Sequence, residues 1–272
     1  MPTSDRSPVR RRARRVLTLF ARHAERTTSA LTQVITGGTN GALLALLDRR
    51  QIEQIDRQKY ELDGIYSDVD YISGGLFWWE QAIVRRHFPI DGSVFVWGAG
   101  AGREVMALSK LGYRVSGEEY NQALVNRANE LLAGNGFSER ITIGRRDTWP
   151  PSVRDCDVVV FGWSSFTLVR GREQRVELLR AAARSLSADG LIVMSFFVGD
   201  PQSRSLRWAH RGGRLTAAVF GGTAPEPGDI LTPNFAHLFS MPALIDELHD
   251  AGLELVGSST LLEAWAVARR MS

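Results

Sequence analysis

The residues best placed to do chemistry lie in one glycine-rich stretch, Val94-Phe95-Val96-Trp97-Gly98-Ala99-Gly100-Ala101-Gly102-Arg103-Glu104. An apolar run leads into it and a helical pattern leaves it, so the glycines form a strand-to-helix turn. Glycine lets the backbone turn tightly and approach a ligand without a Cβ in the way. A second signal follows in Tyr113-Arg-Val-Ser-Gly-Glu118-Glu119-Tyr120-Asn121, whose carboxylates end another apolar run 17 residues after Gly102. A carboxylate there can accept both hydroxyls of a ribose in charge-assisted hydrogen bonds. Spacing favours Glu119, with Tyr120 beside it to pack on a purine face; the plainer alternative is that Glu118 and Glu119 solvate a strand end. The pair of signals points to a nucleoside ligand. Dinucleotide sites favour G-x-G-x-x-G, and here the third glycine comes one position early while Arg103 fills the expected place. G-x-G-x-G suits a nucleoside without a pyrophosphate.

The elements that would position this loop alternate regularly. Strand-like runs fall at Val94–Trp97, Tyr113–Gly117, Ile141–Gly144, Asp157–Phe161, Leu191–Phe197, Leu253–Thr260 and Glu263–Arg270. Several are nearly continuous in apolar residues, as expected for strands covered on both faces. Between them lie amphipathic helices, one N-capped by Asn121 and ended by Gly134, one over Gly171–Ser187, and one after Ser240. The last two runs are joined by a few residues and must pair antiparallel. The expectation is an α/β fold with a doubly wound, mostly parallel seven-stranded sheet and a C-terminal antiparallel hairpin. Ahead of it, a helical pattern from Asn40 puts Leu44, Leu47, Ile52 and Ile55 on one face, and a second helix spans Leu76–Phe88. These divide the chain into a basic tail (1–30), an N-terminal helical cap (31–92) and the sheet domain (93–272), with an insertion at 199–237.

The loop at 98–102, the acid at Glu119 and the terminal hairpin together resemble the class I S-adenosylmethionine (SAM) dependent methyltransferase superfamily, from about Ser93 onward. The resemblance implies the Rossmann-like methyltransferase fold, SAM as cofactor and S-adenosylhomocysteine as product. It implies a cofactor site built from Trp97, Gly98, Ala99, Gly100, Gly102, Glu119, Tyr120, Asp147, Thr148, Phe161, Gly162 and Trp163, with Asp147 near the adenine amino group. Many members carry an acid two residues before the first glycine. This chain has Val96 there, and Glu104 is near enough in sequence to substitute, or else serves the helix dipole.

Methyl transfer is an in-line displacement in which positioning does most of the work, and a base helps only an acceptor that must lose a proton. After the fourth strand, Gly162-Trp163-Ser164-Ser165 has neither the Asn/Asp-Pro-Pro-aromatic motif of base-amine methylating members nor the acid of metal-dependent catechol-type members. Those substrate classes are therefore disfavoured. Trp163 has two readings, a cation–π border for the sulfonium or a plain pocket wall. Acceptor-binding candidates are Tyr66 and Tyr71, then Trp208 and Asp229 in the insertion, where Arg204, Arg207, Arg211 and Arg214 could grip an anion or form a solvated helix face. His237 is the candidate base; its other reading is a structural histidine bonding a loop carbonyl. The region around Tyr66–Glu80 and the insertion would close over the acceptor as a lid.

Composition bounds these readings. The chain has 272 residues and one cysteine, Cys156, which cannot form an internal disulfide and suits a reducing cytoplasm. Five histidines without ligand spacing argue against a metal site, and no apolar run reaches the length of a membrane span. The pI of about 9.3 owes much to eight arginines within the first 26 residues. Such a tail is a solvated terminus, or an arm that binds RNA or an anionic membrane surface. The reading is a cytoplasmic methyltransferase acting on O or N of a small molecule, with nucleic acid an unfavoured partner. An RNA-modifying enzyme and an NAD-dependent oxidoreductase are the alternatives.

Overall fold

The computed structural model of the chain describes residues 29–231 and 233–271, so the basic tail lies almost wholly outside the described residues. The first helix, α1 (Ser29–Leu46), stops before Asp48, whose carboxylate accepts from the Gln51 amide at 2.8 Å and caps α2 (Arg49–Leu62). The Gln51 side chain returns the bond to the Asp48 amide, completing a capping box. The single helical face expected through Leu44, Leu47, Ile52 and Ile55 is therefore split between two helices. A short α3 (Val69–Ser73) and α4 (Trp78–His87) follow. Then come β1 (Ser93–Trp97), α5 (Arg103–Lys110), β2 (Arg114–Glu119), α6 (Gln122–Gly134), β3 (Ile141–Ile143) and β4 (Cys156–Phe161). The chain continues through α7 (Arg172–Arg184), β5 (Leu186–Ser195), α8 (Arg204–Phe220), β6 (Asp229–Leu231), β7 (Phe235–His237), α9 (Met241–Asp250), β8 (Leu253–Ser259) and β9 (Trp265–Arg270).

Seven strands form one sheet in the order β3-β2-β1-β4-β5-β9-β8. The first five run parallel, and β9 enters antiparallel between β5 and β8, the expected terminal hairpin. Strand alternation distributes the core. Phe95, Trp97, Val159, Phe161, Ile192 and Met194 point to the face packed by α7 and α9. Val94, Val96, Val158 and Val193 point to the opposite face, against Trp79 and Ile83 of α4, Val105 and Leu108 of α5 and Ala128 of α6. Both faces are apolar because both are covered. β2 runs two residues beyond its expected end, so Glu118 and Glu119 are its last strand residues. β5 begins earlier than expected, at Leu186.

The described residues divide into two compact units. One comprises Leu47–Pro201 with the chain from Gly228 onward; the other comprises 29–46 with Gln202–Pro227. In the smaller unit α1 and α8 pack backbone to backbone: a Cβ on Gly37 or Gly41 would run into the carbonyls of Ser205 and Ala209. The stretch read as a polar insertion contains a 17-residue helix and the β6–β7 pair. Among the described residues no single helix is long and apolar enough to cross a membrane.

Candidate functional site

The glycine turn lies at the carboxyl end of β1, between the ends of β2 and β4. Gly98, Gly100 and Gly102 have φ values of +70°, +54° and +90°, a region that side-chain-bearing residues avoid. Gly98 and Ala99 donate to the Glu118 carbonyl at 2.9 and 3.0 Å, which ties the turn to β2. The Glu119 carboxylate is buried and accepts from the Gly100 amide (3.0 Å) and the Asn121 amide (2.8 Å). Burial raises its pKa, although those amides favour the charged form. Each carboxylate oxygen has further lone-pair capacity, so both remain able to accept from a ligand. A cleft of about 650 Å³ opens beside this arrangement. A second lobe of about 370 Å³ shares Tyr66, Gly98, Gly100 and Trp163 with it and reaches Glu104.

One wall of the cleft is charged. Arg146 forms an ion pair with the fully buried Asp56, reaches Asp147 at 3.6 Å and donates to the Leu168 carbonyl at 3.0 Å. Its guanidinium lies 5.4 Å from the centre of the Tyr120 ring. Burial raises the pKa of Asp56 and Asp147, opposed chiefly by the Arg146 charge. Among the described residues, the polar atoms buried without a hydrogen-bond partner include the Tyr120 hydroxyl and Arg146 Nη1. The second lobe is bordered by a buried ionic group: Arg103 grips Glu80 through two 2.7 Å bonds and Glu104 Oε1 at 2.8 Å. Glu104 Oε1 also accepts from the Trp163 amide at 3.1 Å, which joins α5 to the end of β4.

No protein-family model matches the chain, and no curated protein matches it in sequence. Solved structures do match. A SAM-dependent methyltransferase from Methanosarcina mazei superposes with a TM-score of 0.58 at 17% identity, covering 72% of this chain and 99% of that one. The CcbJ methyltransferase of Streptomyces caelestis gives 0.55 at 16% identity, over 71% of this chain and 89% of its own. The sugar N-methyltransferase KedS8 of a Streptoalloteichus species gives 0.52 at 15%, over 71% and 86%. The chain has the class I SAM-dependent methyltransferase fold.

Against that fold the expected site residues separate into groups. Trp97, Gly98, Gly100, Glu119, Tyr120, Asp147, Trp163 and Tyr66 line the main cleft, and Ala99 and Tyr71 line its second lobe. Four others support the cleft without lining it. Gly102 caps α5, and the Thr148 carbonyl accepts from the Trp97 indole at 3.0 Å. Phe161 is core, and Gly162 packs where a Cβ would strike the Gly98 carbonyl.

Three expected residues are not among those lining the cleft or its second lobe. Trp208 is on α8 in the smaller unit. Asp229 and His237 are cross-strand partners in the β6–β7 pair, and both are buried. His237 Nδ1 faces Asp229 Oδ1 at 2.8 Å and Nε2 faces Arg175 Nη2 at 3.5 Å, with Arg175 held by Glu247 at 2.6 Å. Arginine only donates, so Nε2 accepts and Nδ1–H donates to Asp229. In this arrangement Nε2 faces the Arg175 guanidinium, and a carboxylate stands as the partner of His237 in place of a loop carbonyl. The sequence reading missed Tyr60, Arg146 and its partner Asp56. Arg146 adjoins Asp147 in sequence, but nothing in the spacing linked Asp56 to it across 90 residues.

Proposed function

We propose that the chain is a cytoplasmic SAM-dependent methyltransferase acting on O or N of a small-molecule acceptor. The observation that carries the reading is the glycine turn and Glu119, joined by the Gly100 hydrogen bond, at the mouth of a cleft in a sheet of this strand order. In open α/β sheets ligands bind outside the carboxyl ends of the strands, where this cleft lies. The residues fit the cofactor. No atom lies within 4 Å of where a Cβ of Gly100 would stand, so the absent side chain leaves ligand space. The unpartnered Tyr120 hydroxyl and Arg146 Nη1 suit a ligand rich in acceptors, as an adenine is.

In this reading Glu119 holds the ribose hydroxyls, Tyr120 packs on the adenine and Asp147 accepts from its amino group. Glu104 stands in for the acid missing at Val96 and faces the cationic methionine end. Trp163 and the second lobe border the reacting methyl, which SAM supplies when bound as an activated sulfonium substituent. The chain contributes position and exclusion of water, with no base from His237. The small-molecule acceptor takes support from the likeness to KedS8, itself a sugar N-methyltransferase.

Calorimetric titration with SAM, S-adenosylhomocysteine and NAD(H) tests the proposal. Binding of the first two and none of NAD(H) is expected. Binding of NAD(H) alone, or silence from SAM, overturns it.

A further inference from the structure

A third pocket, of about 390 Å³ counting the space open to solvent, lies within the larger unit between α4 and the sheet. Its walls are Leu76, Trp79, Ile83 and Val84 on one side and Val160 and Val193 on the other. Three polar side chains border it, and each already has partners. Glu80 is bonded to Arg103, Glu104 accepts from Arg103 and Trp163, and Ser195 Oγ accepts from the Ser164 amide at 2.8 Å. The pocket's position gives it a purpose. It opens at the carboxyl ends of β4 and β5, and it meets the second lobe of the cofactor cleft at Trp163 and Glu104, which border both.

We infer that this cavity receives the apolar portion of the methyl acceptor, an aromatic ring or branched aliphatic group whose nucleophilic atom projects past Trp163 toward the cleft. The inference rests on the methyltransferase reading for its purpose, though the cavity's chemistry stands without it. Its lining is mostly apolar with few polar groups, as in small-molecule pockets. A sugar fits poorly, because its hydroxyls would be buried against Leu76, Ile83 and Val193 without partners. The acceptor class thus departs from that of KedS8 even though the fold is shared.

The test uses 4-ethylphenol as an apolar probe and methyl glucopyranoside as a polar one of comparable size. Each is titrated calorimetrically into the full chain, in parallel with SAM. Saturable binding of 4-ethylphenol and none of the glucoside is expected. Val193→Phe, which fills the cavity from the sheet side, should weaken the phenol at least about tenfold while changing SAM affinity less than about twofold. Leu76→Phe fills it from the other side and serves if Val193→Phe does not fold. No phenol binding to the wild-type chain, or equal binding to the filled variants, overturns the inference. Phenol binding that is lost on filling, in a chain silent to SAM, sinks the cofactor reading and leaves the apolar site standing.

Discussion

Glu119 has two tasks, and its removal separates them. Its carboxylate fixes the loop through the Gly100 and Asn121 amides and, in the function proposed, holds a ribose with its remaining lone pairs. Glu119→Ala should cost about 1.5–3 kcal/mol of SAM affinity, the worth of charged hydrogen bonds; unchanged affinity by calorimetry in a folded variant would refute the role. His237→Ala should do the reverse. The imidazole lies between Asp229 and Arg175, so its loss should lower unfolding free energy by about 1–3 kcal/mol in denaturant titrations and leave SAM affinity unaltered. Reduced SAM binding with full stability would return His237 to the cleft. These two residues mark what a sequence can convey. Glu119 was legible because loop and acid are local signals at fixed spacing on consecutive strands. The surroundings of His237 were not legible because they come from Arg175 and Glu247, residues distant in sequence and brought together only by packing. Asp56 escaped notice for the same reason.

At the level of elements, what could be read was what periodicity and caps encode. The strands of the main sheet were visible as apolar runs, and Asn121 and Ser240 marked helix starts by their side-chain oxygens. The break between α1 and α2 was signalled by the Asp48–Gln51 capping box but hidden by an apolar pattern running across it. The docking of α4 depends on something no pattern encodes, the buried clasp of Glu80 on Arg103. Glu80 also accepts from the Phe77 amide at 2.7 Å at the start of its own helix. Burial raises the Glu80 pKa against the pull of Arg103. Glu80→Ala therefore strips a buried guanidinium of its bidentate partner and α4 of a terminal hydrogen bond. A loss of about 3–5 kcal/mol is expected for breaking such a pair. Denaturant unfolding monitored by tryptophan fluorescence reads it directly, since Trp79 sits on α4. A change below about 1 kcal/mol would mean that α4 is held by its apolar face alone.

Across the whole molecule, the site leaves a mark on stability as a function of pH. Asp56, Glu80, Glu118, Glu119 and Asp147 all have raised pKa values, each chiefly through burial. Glu118 lines the cleft, and its pKa is pushed from 4.5 to about 7 by burial first and the Glu119 charge second. Between those two values the folded chain holds a proton that the unfolded chain has released. Stability from this group is therefore highest below pH 4.5 and falls as pH rises through the window, levelling off above 7. Asp157, held low by the Ser93 amide and hydroxyl, contributes in the opposite sense, its stabilisation fading as pH falls toward its lowered value. Below pH 5 that loss and growing positive charge complicate the total, so the comparison that isolates Glu118 is with Glu118→Gln. Gln cannot ionise, and the variant should be more stable than wild type at pH 8 by about 1–2 kcal/mol, less than the full shift implies because the cleft is open to water. At pH 5 the two should nearly coincide. Urea midpoints measured at half-unit steps from pH 5 to 8 would show the curves diverging. Parallel curves would mean that Glu118 ionises normally and that water reaches it fully. Because the Glu118 pKa is raised to about 7 in the free chain, taking up a cation beside it should also release its proton, so SAM binding measured in buffers of different ionisation enthalpy should report proton release at pH 7, reduced in Glu118→Gln.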